Sequence, residues 1–222
     1  MKKTAVIVAG GTGTRMGAGL PKQFLLLKNR PLLYYTIDTF LRTYEDLDII
    51  LVLPEAYTDM GQEIIDAYFD KERVRITIGG ISRFESVKNG LQLVDDEAII
   101  FVHDAVRCLV SQELIRRCYE QAVETGSAVP VIASSDSVRL LTEDGSDALD
   151  REKVMLVQTP QVFHSKLLIP AFSIGQKEKF TDEASVVEAF GMKVSLVEGE
   201  RDNMKITHRI DLLIAEQLLS CE

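Results

Sequence analysis

Short runs of β-branched and aliphatic residues alternate along this chain with longer stretches in which apolar positions recur at helical spacing. Thr4 to Ala9, Asp48 to Leu53, Val74 to Ile78, Ala98 to His103 and Ala128 to Ala133 read as buried strands, because apolar residues dominate them rather than alternating strictly with polar ones. Two of the intervening helical patterns carry marked starts. Ser82-Arg83-Phe84-Glu85 is a capping box ahead of a helix showing Phe84, Val87 and Leu91 on one side. Ser111 caps a pattern of Leu114, Ile115, Cys118 and Ala122 that ends at Gly126. Such alternation requires crossovers, and it predicts an α/β, Rossmann-like fold: a mostly parallel twisted sheet with helices on both faces and ligands gathered at the strands' carboxyl ends.

The alternation breaks after Ala133. Residues from about 134 to 157 read as a polar hairpin, with 138–141 and 153–156 flanking the turn-rich 142–147. An isolated hairpin has little core to bury against, so the reading is a β-arm that pairs with the same element of a second chain; packing on the rim of the main domain is the alternative. At 222 residues and 46% hydrophobic content the chain can bury one substantial core, so we expect a single domain over 1–222 with this arm as its excursion. No apolar run reaches the roughly eighteen residues of a membrane span, and Met1-Lys2-Lys3-Thr4 leads into a strand without a cleavage-site pattern. A cytoplasmic protein without a membrane partner is expected.

Charge narrows the partners. A net charge of −9 disfavours a nucleic-acid polymer, which calls for a basic face, so local Lys and Arg clusters point to a small anionic ligand. Three cysteines, Cys108, Cys118 and Cys221, have no C-x-x-C spacing and read as reduced thiols.

The candidate chemistry begins at Val8-Ala9-Gly10-Gly11-Thr12-Gly13-Thr14-Arg15-Met16, directly after the first strand, followed by Pro21-Lys22-Gln23-Phe24. Clustered glycines let backbone N–H groups approach an anion, and Arg15 and Lys22 add full positive charge. The same stretch could be no more than a strand-to-helix turn. Its spacing fits neither a dinucleotide fingerprint, which would need glycine at Met16, nor a Walker A loop, which would need Gly-Lys-Ser/Thr. At the end of the fourth strand, Asp104 could serve a sugar hydroxyl or a Mg2+ ion riding on phosphates, whereas His103 reads as a histidine satisfied by backbone. Lys205, before the last helix, returns another cation toward the same sheet edge.

In order, the chain carries Ala9-Gly10-Gly11-Thr12-Gly13-Thr14-Arg15-Met16, Pro21-Lys22-Gln23-Phe24, Gly79-Gly80-x-x-Arg83-x-x-Ser86-Val87, Val102-His103-Asp104-Ala105-x-Arg107, Thr159-Pro160-Gln161-x-Phe163, Thr181-Asp182-Glu183-Ala184-Ser185 and Asp202-Asn203-x-Lys205-x-Thr207. With these blocks it resembles the 2-C-methyl-D-erythritol 4-phosphate cytidylyltransferases over essentially its whole length. The resemblance implies a homodimer that joins CTP and the polyol phosphate, releases pyrophosphate, and uses Mg2+ held mainly by the nucleotide, with Asp104 as a possible ligand. It implies that Arg15, Lys22, Arg151 and Lys205 are catalytic. Ala9, Gly10, Gly11, Gly80, Ser86 and Ala105 would bind CTP, and Asp104, Arg107, Ser137 and Thr159 the acceptor, some from a partner subunit. Cys108 and Arg209 stand where the family usually has proline, and Ser137 where it tends to have threonine. A ribitol 5-phosphate cytidylyltransferase and a nucleotide-binding module without turnover are the rival readings; a dehydrogenase lacks its glycine spacing and its ribose-binding acid.

Phosphate chemistry supports a site rich in cations and poor in paired carboxylates. A phosphate monoester has a second pKa near 6, so it is mostly dianionic at neutral pH and needs no general base to become a nucleophile. What remains is to bring two polyanions together and neutralise the charge that gathers on the α-phosphorus and the leaving pyrophosphate.

Overall fold

The computed structural model describes residues 1–10, 20–95, 97–177 and 180–220. In chain order these form β1 (Lys2–Val8), a 3₁₀ turn (Lys22–Phe24), the ribbon β2 (Leu26–Leu27) and β3 (Arg30–Pro31), α1 (Leu32–Thr43), β4 (Leu47–Leu53), α2 (Thr58–Tyr68), β5 (Val74–Ile78), α3 (Arg83–Leu91), β6 (Ala98–Asp104), α4 (Gln112–Thr125) and β7 (Ser127–Ala133). Then follow β8 (Val138–Thr142), β9 (Gly145–Leu149), a second 3₁₀ turn (Arg151–Lys153), β10 (Met155–Val157), β11 (Gln161–His164), α5 (Ser165–Ala171), α6 (Glu183–Ala189), β12 (Leu196–Glu198) and α7 (Arg209–Leu218).

The strands expected from the apolar runs are all present, displaced by at most a residue or two, and they pair in the order β10-β7-β11-β6-β1-β4-β5 with β12 alongside β7. The β6-β1-β4-β5 half is parallel. On the other side β11 inserts antiparallel between β6 and β7, so the sheet is mixed, though mostly parallel. Successive side chains of a strand point to opposite faces, and this divides the core in two. Ala5 and Ile7, Ile49 and Leu51, and Ile99 and Phe101 pack on one face with Ile37 and Phe40 of α1 and Leu114 and Cys118 of α4. Val6 and Val8, Ile50 and Val52, and Ile100 and Val102 pack on the other with Val87 of α3, Leu168 of α5 and Val187 of α6. Strands buried on both faces must be apolar at nearly every position, which is why their sequence pattern was so plain.

From β1 the chain winds through β4 to β5 on one side, then crosses to β6 on the other. That reversal leaves a crevice at the carboxyl ends of β1 and β6, where loops leave in opposite directions. Both expected helix caps are present, and the first stands at this crevice: Ser82 Oγ accepts from Glu85 N, and Ser111 Oγ accepts from Leu114 N. In the first cap the Glu85 carboxylate reaches back one residue further than a reciprocal box would, accepting from Ile81 N at 2.8 Å.

The hairpin differs from the expected one. Val138–Thr142 pairs with Gly145–Leu149, closing tightly where Gly145 has a φ of 147°, a value that glycine adopts without strain. The expected second strand at 153–156 belongs elsewhere: Asp150 caps the Arg151–Lys153 turn, and Met155–Val157 then rejoins the main sheet antiparallel to β7. The two hairpin strands are largely exposed. Among the described residues no helix is long and apolar enough to cross a membrane.

One close contact brings α3 onto the sheet. A Cβ at Gly90 would stand 2.6 Å from Val6 Cγ1 and 3.1 Å from Val52 Cγ2, so only glycine lets this helix sit so near β1 and β4. Gly90→Ala is expected to destabilise the fold by about 1–3 kcal/mol despite alanine's better helix propensity, read as a lower urea midpoint with unchanged m value.

Candidate active site

The cleft at the switch point is lined from three strand ends: Val8, Ala9 and Gly10 after β1, Gly80 to Arg83 after β5, and Asp104 and Val106 at the end of β6. Lys22, Gln23, Ser86 and Lys205 complete its wall. Arg15 and Gly11 lie outside the described residues, so the outer part of the glycine loop is not placed here.

Lys22 reaches the cleft because the turn that carries it is fastened to β1. The buried Gln23 Nε2 donates to Ala9 O at 2.6 Å, and Lys22 Nζ donates to Ile206 O at 3.3 Å, drawing in the segment that holds Lys205. On the opposite wall the loop after β5 closes on Ser86, whose hydroxyl accepts from Gly80 N at 3.1 Å and donates to Ser82 O at 2.8 Å. That hydroxyl therefore shapes the loop, with its proton already committed. A Cβ at Gly80 would lie 2.2 Å from Glu85 Cβ, which leaves glycine as the residue that fits.

Asp104 is the electrostatic hub. Its Oδ1 accepts from Arg83 at 3.2 Å, and its Oδ2 pairs with Lys205 Nζ at 2.8 Å and lies 3.6 Å from Arg107 Nε. Burial opposes ionisation of this carboxyl, but Arg83, then Lys205 and Arg107, hold it well below the usual carboxylate range. Arg83 forks further to Glu183, with Nη1 on Oε1 and Nη2 on Oε2. Burial alone would lower the Arg83 pKa, and the two carboxylates more than reverse that.

A buried chain of hydrogen bonds sets the backbone at Asp104. Asp104 N donates to Thr159 Oγ1 at 3.1 Å, Thr159 Oγ1 lies 3.0 Å from His103 Nδ1, and His103 Nε2 lies 3.2 Å from Arg107 O. A carbonyl only accepts, so the proton sits on Nε2 and Nδ1 accepts from the threonine hydroxyl. His103 is thus a neutral structural histidine, its pKa lowered to about 3 by burial. A base whose folded pKa lies below its unfolded value takes up a proton on unfolding, so stability falls as pH drops from 6.5 toward about 3. Urea unfolding between pH 7 and 5 is expected to show a loss approaching about 1.4 kcal/mol per pH unit in the native protein, and a flatter profile in His103→Asn.

Several expected contacts are absent from the cleft within one chain. Ala105 is fully buried, its N–H donating to Val8 O and its carbonyl accepting from Thr36 Oγ1, and it is not among the described residues of the cleft wall. Thr159 is committed to Asp104 and His103, and Arg107 donates to Asn203 O and sits behind Asp104. Burial lowers the Arg107 pKa, with Asp104 opposing. Ser137 and Arg151 lie exposed at the base of the hairpin, away from the cleft, where Arg151 Nη1 approaches Ser135 O at 3.5 Å.

The Mg2+ contact expected of Asp104 falls on a carboxylate that already has cationic partners. Asp104 is the only carboxylate among the described residues of the cleft wall, and cations already engage both its oxygens. No group of three or more potential ligand side chains gathers among the described residues. Among the described residues of the cleft, carboxylates form no cage for a divalent ion.

Arg83 and Glu183 are the site residues that sequence reasoning missed. Each was visible as a charged residue in the first turn of a helix, but they stand 100 positions apart and nothing linear pairs them.

Comparison with known proteins gives a consistent set of matches. The profile described as 2-C-methyl-D-erythritol 4-phosphate cytidylyltransferase matches residues 3–221. Relatives bearing that name include one from Bacteroides fragilis, 49% identical over 99% of this chain and 100% of its own length, and one from Porphyromonas gingivalis, 43% identical over 99% and 98%. Among solved structures, the 4-diphosphocytidyl-2C-methyl-D-erythritol synthase of Anaerococcus prevotii superposes with a TM-score of 0.86 at 28% identity, covering 99% of this chain and 98% of that one. The 2-C-methyl-D-erythritol 4-phosphate cytidylyltransferase of Thermus thermophilus gives 0.76 at 30% identity, covering 99% and 100%.

Proposed function

This chain belongs to the 2-C-methyl-D-erythritol 4-phosphate cytidylyltransferase family, and from that premise we propose how its cleft carries out the family's reaction. The protein is a nucleotidyltransferase of isoprenoid precursor synthesis that joins CTP to 2-C-methyl-D-erythritol 4-phosphate. An oxygen of the acceptor's phosphate dianion attacks the α-phosphorus of CTP in line. As that P–O bond forms, the bond to the β-phosphate oxygen breaks, and pyrophosphate leaves with the electron pair.

The observation that carries this reading is the convergence of Lys22 and Lys205 on one cleft at the β1/β6 switch point, where Asp104, itself paired with Arg83, holds Lys205. No proton needs to be removed from the nucleophile, and the neighbouring groups suit that: His103 is buried and neutral, and Asp104 is held ionised by its cations. In our reading Gly10, Gly80 and Ser86 frame the nucleotide, Lys22 faces the triphosphate, Lys205 faces the acceptor phosphate, and Arg15 adds charge from the glycine loop. A divalent ion, Mg2+ in this reading, would be held chiefly by the nucleotide and would supply further positive charge at its phosphates.

Ser137 and Arg151 reach such a site only from a second copy. The exposed Leu140, Leu141 and Leu149 of the hairpin and Met155, Leu156 and Leu196 beside it favour a homodimer built on that edge, and the soluble, polyanionic substrates suit a cytoplasmic enzyme.

The test is direct. Purified protein given CTP and 2-C-methyl-D-erythritol 4-phosphate should release pyrophosphate and form the cytidine diphosphate ester, with no release when ribitol 5-phosphate is substituted. Turnover of ribitol 5-phosphate alone, or CTP binding without release, would overturn the reading.

A further inference from the structure

Glu183 is the most deeply buried carboxylate of the cluster, with 1% of its side chain exposed, yet it does not line the cleft. Burial pushes its pKa up, and Arg83 opposes that. A buried ion pair is weak evidence for stability, because two well-packed apolar side chains in its place are often as good. Its placement is nevertheless over-determined. Gln161 of β11 donates through Nε2 to Asp182 Oδ2 at 3.0 Å and accepts at Oε1 from Ala184 N at 2.8 Å, clasping the residues on either side of Glu183. Asp182 also caps α6, accepting from Ser185 N at 2.9 Å.

What Glu183 holds is Arg83, and what Arg83 holds is Asp104. The guanidinium gives one edge to each carboxylate, so Arg83 is pinned at the cleft wall and has no freedom to swing onto a phosphate. With Oδ1 of Asp104 fixed by Arg83, Oδ2 points to Lys205, whose side chain is 43% exposed and extends into the cleft. We propose that Glu183 is a positioning residue for the acceptor phosphate, acting through Arg83 and Asp104 to set the ammonium group of Lys205. The inference deepens the proposed function and rests on Lys205 serving the acceptor.

Glu183→Gln keeps the shape of the side chain but gives up its charge and its second acceptor oxygen. The KM for the acceptor is expected to rise about fivefold to tenfold while the KM for CTP changes less than about twofold, the split that coupling through a shared contact network gives. In an Arg83→Met background the same change should add almost nothing, since the link it acts through is gone. A third readout needs no turnover. In reductively 13C-methylated protein, the Lys205 resonance, identified by its loss in Lys205→Arg, should move in Glu183→Gln while the other lysine resonances stay. Should Glu183→Gln not fold, Glu183→Asp takes its place with the same directions expected.

Equal changes in both KM values, additivity with Arg83→Met, or an unmoved Lys205 resonance would each overturn the proposal. If the wild-type protein does not turn over the acceptor but the resonance moves, the relay stands and the substrate assignment falls.

Discussion

Lys22→Ala is expected to lower kcat/KM for pyrophosphate release by about a thousandfold, because one cation about 4 Å from a phosphate oxygen contributes on the order of 4 kcal/mol at an effective dielectric near 20. The loss should be large because Lys22 stands on the wall of the cleft, half-buried, on a turn that Gln23 ties to Ala9. Charge held in place before the reaction costs no reorganisation when the five-coordinate phosphorus forms, so most of its effect appears in the transition state. The loss should therefore fall on kcat more than on the KM for CTP. Lys22→Arg should recover only part of the rate, since the guanidinium is broader than the ammonium that donates to Ile206 O. A loss under about tenfold in Lys22→Ala, with the protein folded, would remove Lys22 from the reaction.

Asp104→Asn is expected to damage both stability and turnover. The carboxylate neutralises Arg83, Lys205 and Arg107 at once, and Glu183 shares only the first of these. Breaking a buried pair by removing one partner leaves charge unpaired, and the expected cost is about 3–5 kcal/mol in urea unfolding at pH 7. Because the folded pKa of Asp104 is depressed, its contribution is present above the unfolded carboxylate range and is lost only as pH falls through the folded value. The difference between native protein and Asp104→Asn should accordingly stay constant from pH 8 to pH 6. Turnover should fall by roughly a hundredfold or more as Lys205 loses its anchor, a change of about 2.7 kcal/mol in the barrier. A difference that grows steadily as pH rises from 6 to 8 would mean that Asp104 titrates near neutrality, contrary to its ion pairs.

The central sheet was legible because physics repeats itself along a doubly covered strand. Ile49 to Leu53 and Ala98 to Val102 must satisfy two cores, so no polar residue interrupts them. Ser111 and Gly126 mark their helix ends by local chemistry that needs no distant partner. Short elements were not legible. Gln161–His164 has only a few residues and follows Pro160, and its antiparallel place between β6 and β7 comes from partners far away in the chain. The hairpin was found but misregistered: Lys153 to Leu156 looked like a return strand, whereas Asp150 turns the chain and Met155–Val157 completes the main sheet.

The site shows the same division. Lys22 could be nominated as a cation beside a glycine loop and Asp104 as a carboxylate at a strand end, whereas Gly80 and Lys205 took their roles from the matching blocks. Ala105 and Thr159 belong to the same sequence blocks, yet the fold spends their polar groups on Val8, Thr36, His103 and Asp104. The matching blocks tell which residues travel together but not which face a ligand.

By itself the sequence determined the family, the α/β framework and the kinds of charge brought to the cleft, because apolar periodicity, turn chemistry and residue type are local properties. Only the tertiary structure decided that Glu183, through Arg83, stands behind Asp104, and that cations engage both oxygens of Asp104. Ion pairs are set by distance in space and by exclusion of water, and both exist only once strands and helices remote in the chain have packed together.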